Sequence, residues 1–387
     1  MGIHGLSKLI ADNCPECVHK HPFKTYFGRI VALDAYMCLY QFLVAMRQPD
    51  GRPLQDSKGN ITSHLKGILT RSARLIHSGI KPVFVFDGQP PELKSDEIAK
   101  RKAAKDKAVE EAEKAKEAGD EEARIKFERR IVHLTTSHVE ESKTLLKLLG
   151  IPFVEAPSEA ESQCVEMVRG GKAWAVATED MDALTFGAPR VLRYLLSAEK
   201  KKLDVHEYHH DEVIKGLGLT HDQFVDLCIL SGCDYCNTIF GVGNKTALKL
   251  IKEWGSIEEA LEHLTPRQEK GVPSVFKYKE ARKLFNNPHV TPAKDIELKW
   301  KAPDEEGVIE FLSKKEFSPD QVRKSIQKIV KAKKQGTQMR LDAMFGFSPS
   351  PSKPKTKSRT SKGSGGNDKT DTMKKGRKKI TSATKKK

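Results

Sequence analysis

Gly28-Arg-Ile-Val-Ala-Leu-Asp34, Lys81-Pro-Val-Phe-Val-Phe-Asp87 and Lys172-Ala-Trp-Ala-Val-Ala-Thr-Glu-Asp180 are three versions of one pattern. Each is a short apolar run that stops at an acid. A run of that length, apolar on both faces, reads as a strand buried inside a parallel sheet. Helical periodicity lies between and beyond the runs, at roughly 35–46, 63–78, 137–149 and 158–169. Strands alternating with helices predict an α/β fold, a central mostly parallel sheet covered on both faces. In such sheets ligands bind beyond the carboxyl ends of the strands, where Asp34, Asp87 and Asp180 fall. Glu159, Glu161, Asp182 and Asp234 also sit at breaks in apolar runs.

Each acid has a plain alternative. Asp34 could cap the helix that follows it, and Asp87 could open a turn at Gly88. Ser158 and Glu161 have the spacing of a capping box. Asp180 and Asp182 could be ordinary turn residues. Together they point elsewhere. Several carboxylates at one sheet edge repel one another, and hard cations such as Mg²⁺ relieve that repulsion. Two such ions ~3.5–4 Å apart activate a water and stabilise the charge developing on a phosphodiester.

Composition narrows the class. The 387 residues carry a formal charge of +16. From Ser348 to Lys387 there are fourteen Lys/Arg against two Asp, a net of +12, which leaves +4 for everything before. That tail, rich in Ser, Pro, Gly and Lys, predicts disorder, and its basic runs suit nuclear targeting or a DNA tether. No apolar stretch reaches the ~18–20 residues of a membrane span. Seven cysteines without a secretory signal predict reduced thiols in an intracellular protein. Cys14-Pro-Glu-Cys17 and Cys233-Asp-Tyr-Cys236 have zinc-knuckle spacing, but they lie far apart and the second contains Asp234.

The motifs Ala32-Leu-Asp-Ala35, Val85-Phe-Asp-Gly88, Ala156-Pro-Ser-Glu-Ala-Glu161, Thr178-Glu-Asp-Met-Asp182 and Ser231-Gly-Cys-Asp-Tyr235 carry a resemblance. With Met1-Gly-Ile-His-Gly-Leu6, and as far as about Phe345, the chain resembles the flap endonucleases of the five-prime structure-specific nuclease superfamily. The resemblance implies a PIN-like nuclease core that removes 5′ flaps from branched DNA, with 5′-3′ exonuclease action, in replication and base excision repair. It implies two Mg²⁺ ions, one held mainly by Asp34, Asp87, Glu159 and Glu161, the other mainly by Asp180, Asp182 and Asp234. The regions implied are 1–106 and 123–255 for the nuclease, 92–134 for a helical arch and 256–335 for the rest of the core. The peptide 338–345 would bind the sliding clamp (PCNA), and 348–387 form the tail.

Residues 91–134 are dominated by Glu, Lys, Ala and Arg, which read as exposed helices broken near Gly119-Asp120. A solvated charged helix accounts for most of these charges. Lys94 and Arg101, seven apart on one helix face, follow Asp87 closely and by resemblance act in catalysis with Asp182, neutralising the scissile phosphate. Phe240-Gly-Val-Gly-Asn244 lacks the Gly-Lys-Ser/Thr of a phosphate loop. It reads as a glycine hairpin between helices, similar to the family's helix–two-turn–helix element, with Gly241, Gly243 and Lys245 on duplex phosphate and K⁺ at the hairpin. The resemblance adds Gly2, Tyr40, Arg47, Arg71, Glu159, Gly232 and Asp234 as DNA contacts. It also suggests Thr62 with the basic segment 314–328 as a 3′-flap pocket. Gln338, Leu341, Met344 and Phe345 match the clamp peptide, with Met344 where an aromatic is usual; Met fills apolar pockets adaptably. A monomer is expected, in the nucleus, with a mitochondrial pool left open. The rivals are a related 5′ exonuclease or bubble endonuclease, and a clamp adaptor that binds DNA without cutting it.

Overall fold

The computed structural model describes residues 2–48, 51–197 and 203–335. The expected clamp peptide, Gln338, Leu341, Met344 and Phe345 included, and the basic tail lie outside the described residues.

The chain opens with α1 (Leu6–Asn13), then β1 (Val18–His21), β2 (Ile30–Asp34), α2 (Ala35–Ala45), α3 (Ser63–His77) and β3 (Lys81–Phe86). A charged helical excursion follows, α4 (Ser95–Glu117) and α5 (Glu121–Glu128), before α6 (Thr136–Leu148), β4 (Phe153–Glu155) and α7 (Ala160–Arg169). Next come β5 (Ala175–Ala177), α8 (Asp182–Thr185), β6 (Arg190–Arg193), β7 (Val205–His209) and α9 (His210–Leu217). The remainder is helical: α10 (His221–Ser231), α11 (Asn244–Trp254), α12 (Ile257–Glu262), α13 (Pro266–Glu269), α14 (Tyr278–Asn286), α15 (Glu305–Ser313) and α16 (Pro319–Gln335).

The strands order as β1-β7-β6-β5-β2-β3-β4. The five from β4 to β6 run parallel, and β7 and β1 close one edge antiparallel. From β2 the chain winds outward to β3 and β4, then returns to β5 on β2's other side. The strand order therefore reverses between β2 and β5, the place where such sheets gather ligands.

Alternation along the central strands divides the core. Val31, Leu33, Phe84 and Phe86 face the helices α2, α3, α6, α15 and α16. Ala32, Val83, Val85 and Val176 share a core with α1, with the helices from α7 to α12 and with α14. Period-two side chains, apolar on both faces, are what a sheet sandwiched between helix layers requires. Replacing a fully buried aromatic here, Phe84→Ala for instance, would cost about 3–5 kcal/mol.

The excursion is built differently. Only Ala108, Ala112 and Ala115 of α4 are buried. They recur at helical spacing as a narrow stripe, and α4 and α5 pack on each other. The break between the two helices is the Gly119 turn with Asp120 capping α5 at Ala123 N, where the sequence placed it.

Candidate active site

The seven acids lie at the carboxyl edge of the sheet, in the first turns of α7 and α8, or on the loops nearby. Asp34 ends β2 and caps α2, accepting from Met37 N at 3.0 Å. Asp87 follows β3 and accepts from Ala160 N at 2.7 Å, so it caps α7 from across the sheet. The Ser158–Glu161 capping box does not form. α7 starts at Ala160 with Glu159 as its cap residue and no side-chain cap bond. With Glu159 rather than Ser158 at the cap and Asp87 on the Ala160 N–H, Glu161 is left among its fellow acids Asp34, Asp87 and Asp180. Asp180 N is held by Thr178 Oγ1, and Asp180 Oδ1 accepts from Asp182 N, both at 2.9 Å. This tight turn after β5 points two carboxylates, two residues apart, at one place. Asp234 comes from the loop between α10 and α11.

Burial dominates the electrostatics. Asp34, Glu159, Asp180 and Asp182 are all less than a tenth exposed. Burial, with the neighbouring charge of Asp180, pushes Asp34 up to about 6 against the bonds that favour its ionised form. Asp87 rises to about 7 through burial and the charge of Asp34. Burial first, then the other acids, lifts Glu161 and Asp182 well above the carboxylate range, and Asp180 is raised for the same first reason. Such a group of acids lacks positive charge.

Part of that charge comes from the α4 region. Lys94 Nζ sits 2.5 Å from Glu159 Oε2 and 3.6 Å from Asp234 Oδ2. Arg101 Nη2 reaches both oxygens of Asp234, at 2.8 and 2.7 Å. Burial works against the charge on Lys94, but Glu159, Glu161 and Asp234 outweigh it and hold its pKa above the ordinary value. Lys100 Nζ donates to Asn237 Oδ1 at 2.9 Å and completes the docking of α4 on the α10–α11 loop.

Three observations fit hard cations at these acids. The donors are all carboxylates, the ligand class of Mg²⁺. Asp182 Oδ1 is buried with no hydrogen-bond partner, a costly state unless an ion answers it. Gly2, at φ +71°, lies so close that a Cβ there would stand 1.6 Å from Asp180 Oδ1 and 2.8 Å from Asp182 Oδ1. Among the described residues, however, the one group of three with ligand atoms all within 4.8 Å of one another is Cys14, Glu16 and Cys17. The acids stand farther apart, with the Lys94 ammonium set against Glu159.

The other expected site residues fall into two sets. Tyr40, on α2, is 36% exposed, so its ring is available rather than spent in the core. Gly232 ends α10 at φ +108°, and its carbonyl accepts from His4 N at 3.3 Å. Gly241, at φ +84°, turns the hairpin, and Gly243 caps α11, which carries Lys245, Lys249 and Lys252 beside a groove. Gly5 packs on Asn244, so the N-terminal segment joins the hairpin to the acids. Arg47 and Arg71 each donate to backbone carbonyls. Arg47 donates to Val44 O and Gly51 O, and Arg71 to Ser197 O at 3.4 Å. Thr62 is buried, at 5% exposure, beside the contact between α3 and α16.

Tyr235 had no role in the sequence reading beyond its place in a motif. Its hydroxyl donates to Glu159 Oε2 at 3.2 Å, and Lys94 lies over its ring at 5.9 Å. Its position directly after Asp234 is the signal that could have found it. Cys14 and Cys17 have Cα atoms only 5.5 Å apart. The turn that starts at Pro15 brings them side by side, with Cys17 N bonded to Cys14 O at 3.0 Å. Cys233 and Cys236 stay unjoined, and burial raises both thiols, Cys236 to about 11.

Comparison with known proteins agrees with this geometry. Residues 1–108 match the family described as XPG N-terminal domain, and 150–234 the XPG I-region. The chain is 51% identical over 346 residues to flap endonuclease 1 of Danio rerio, covering 89% of this chain and 90% of that one. It is 49% identical to flap endonuclease 1 of Chlamydomonas reinhardtii, covering 91% and 89%. Among solved structures, flap endonuclease-1 from Methanococcus jannaschii superposes with a TM-score of 0.65 at 35% identity, over 83% of this chain and 97% of that one. The catalytic core of Rad2 in complex with DNA substrate shares the fold, with a TM-score of 0.65 at 23% identity over 85% and 100%. On its acids, its sheet and this likeness over most of its length, the chain belongs to the flap endonuclease 1 family.

Proposed function

We propose that the chain is a divalent-metal-dependent, structure-specific nuclease that hydrolyses DNA at the base of a 5′ flap, one nucleotide into the duplex. The observation that carries this is the meeting of seven acids from five chain segments, with the orphaned Asp182 Oδ1 among them. Asp34, Asp87, Glu159 and Glu161 would hold one ion, and Asp180, Asp182 and Asp234 the second; Mg²⁺ suits this all-oxygen set. When bound, the pair supplies an activated water and charge stabilisation at the leaving oxygen.

The chain's own residues do the rest. Lys94 and Arg101 are cations placed by α4 beside the acids, and they are the groups to take a scissile phosphate and its developing charge. Tyr40 offers an exposed ring for stacking on a base next to that phosphate. The hairpin of Gly241 and Gly243, the amino end of α11 and Lys245 suit a duplex phosphate, with K⁺ as the partner cation. The proposal extends to 5′-3′ exonuclease action in replication and base excision repair, by a monomer. It includes clamp binding through Gln338, Leu341, Met344 and Phe345, and a nuclear location set by the basic tail.

A labelled double-flap DNA tests the reading in Mg²⁺ and in Ca²⁺, beside Asp182→Ala. A single cut near the flap base that needs Mg²⁺ and Asp182 is expected. Tight binding with no cut in any metal would instead indicate a DNA-binding adaptor.

A further inference from the structure

The hairpin before α11 carries a side chain that the core does not use. Val242 N donates to Ile239 O at 3.1 Å and closes a four-residue turn. Gly241 stands third in it at φ +84°, while Phe240, in second place, keeps an ordinary negative φ. That is a type II turn, which asks for glycine at its third position. Ile239 and Val242 are buried, at 2 and 6% exposure, and anchor the turn on the core. Phe240 between them is 66% exposed, the most open of the large apolar side chains among the described residues.

A single exposed apolar residue is ordinary on a protein surface. Three features set this one apart. It is braced from behind: Phe240 N donates to Gly271 O at 3.0 Å, and a Cβ on Gly271 would stand 2.8 Å from Phe240 Cβ. Arg267 of α13 lies over its ring, with the guanidinium carbon 5.7 Å from the centroid. Close behind it in the chain, α11 opens, and Lys245, Lys249 and Lys252 line one groove at helical spacing. A fixed aromatic ring among cations is the make-up of a nucleic-acid surface, where the cations meet phosphate and the ring meets an apolar face. In a duplex the bases are stacked on one another. The apolar surface next to a backbone phosphate is then the deoxyribose.

We propose that Phe240 packs on the deoxyribose beside the phosphate held by the hairpin, an apolar contact that favours DNA over RNA in that duplex arm. The inference rests on the reading of the hairpin as a duplex-phosphate site. Arg267 covers one side of the ring and leaves the other to the sugar. A ribose there would press its 2′-hydroxyl against the ring, where it loses water and gains no partner. Packing of this kind releases no counterions, so its contribution is the same at every salt concentration, unlike that of Lys245.

The test is binding of labelled double-flap DNA to the full chain, with Ca²⁺ in place of Mg²⁺, across about 50 to 200 mM salt. Phe240→Ala should weaken binding by about 5- to 30-fold, the worth of burying most of a phenyl ring. The loss should be the same at each salt concentration, and Phe240→Leu should recover much of it. Lys245→Ala, by contrast, should lower the salt slope by about 1. Ribonucleotides placed in the hairpin-bound arm should weaken the parent more than F240A. The melting temperature of F240A should match the parent's, since the ring is outside the core. Parent-like binding by F240A beside weakened K245A would overturn the proposal and leave the hairpin reading standing. It would also mark the exposed ring as a contact for something other than DNA. A changed salt slope in F240A, or undiminished discrimination against ribose, would overturn the sugar contact. Parent-like affinity and slope in K245A would overturn the hairpin reading and the proposal with it.

Discussion

Gly2→Ala is the sharpest test of how the acids are held. The change adds one methyl group at a position with φ +71°. An alanine in that conformation costs about 1–2 kcal/mol. The larger effect is steric. The new Cβ would stand 1.6 Å from Asp180 Oδ1 and 2.6 Å from its Cγ, so that carboxylate must retreat by about 1.5 Å to reach van der Waals contact. In retreating it gives up the 2.9 Å bond that Asp180 Oδ1 accepts from Asp182 N, and both acids move. A displacement of ~1 Å at reacting groups costs about 10²-fold in rate. Single-turnover cleavage of a labelled flap DNA should therefore slow by about 10²-fold. The melting temperature should fall by only about 2–4 °C, and DNA affinity should change less than the rate. A folded G2A protein that cuts within about threefold of the parent would refute the reasoning. Asp180 would then owe its position to something other than the N-terminal segment.

Lys94→Ala should lower the single-turnover rate by about 10²–10³-fold while DNA affinity shifts only a few-fold, because a cation aimed at developing charge acts mainly in the transition state; an equal loss in affinity would make Lys94 a plain DNA contact. Asp34→Asn should abolish cleavage yet stabilise the metal-free protein at pH 8. The folded-state pKa, about 6, lies above the ordinary carboxylate value, so between about 4 and 6 the unfolded chain sheds its proton first and stability falls as pH rises. Denaturant melts should show a gain of up to about 3 kcal/mol for D34N at pH 8 and none near pH 3.5; a variant less stable than the parent at pH 8 would contradict the burial argument. Arg282→Ala should destabilise by about 3–5 kcal/mol, since Arg282 Nε and Nη2 hold Asp226 at 2.6 and 2.8 Å and the same guanidinium holds Glu258. In urea a loss under about 1 kcal/mol would show that Asp226 does not need its partner.

The central fold and most of the site were legible because both are written in local pattern. Apolar runs that stop at Asp34 and Asp87 announce strand ends. The motif that ends in Asp180 does so although β5 proper is only Ala175–Ala177. What stayed hidden depends on which group wins a shared partner. Ser158 and Glu161 satisfy a capping pattern, yet Asp87, seventy-three residues earlier, takes the donor at Ala160. The edge strands carry little apolar signal: Val18-His-Lys-His21 is a strand only because β7 pairs with it. The docking of Lys100 on Asn237 and the bond from Tyr235 to Glu159 are long-range choices without a periodicity of their own. Arg47 and Arg71 are named by motif likeness alone, without a periodicity of their own.

The acids span residues 34 to 234, and no stretch shorter than that contains them all. A chain emerging from the ribosome can form β2 and α2 early, but its last carboxylate appears only after α10 has been made. The arginine that meets that carboxylate, Arg101, is synthesised long before its partner. A truncated or half-translated product therefore lacks a complete ring of acids however well its first half folds. On the proposed roles of these acids, competence to cut nucleic acid arrives late in synthesis.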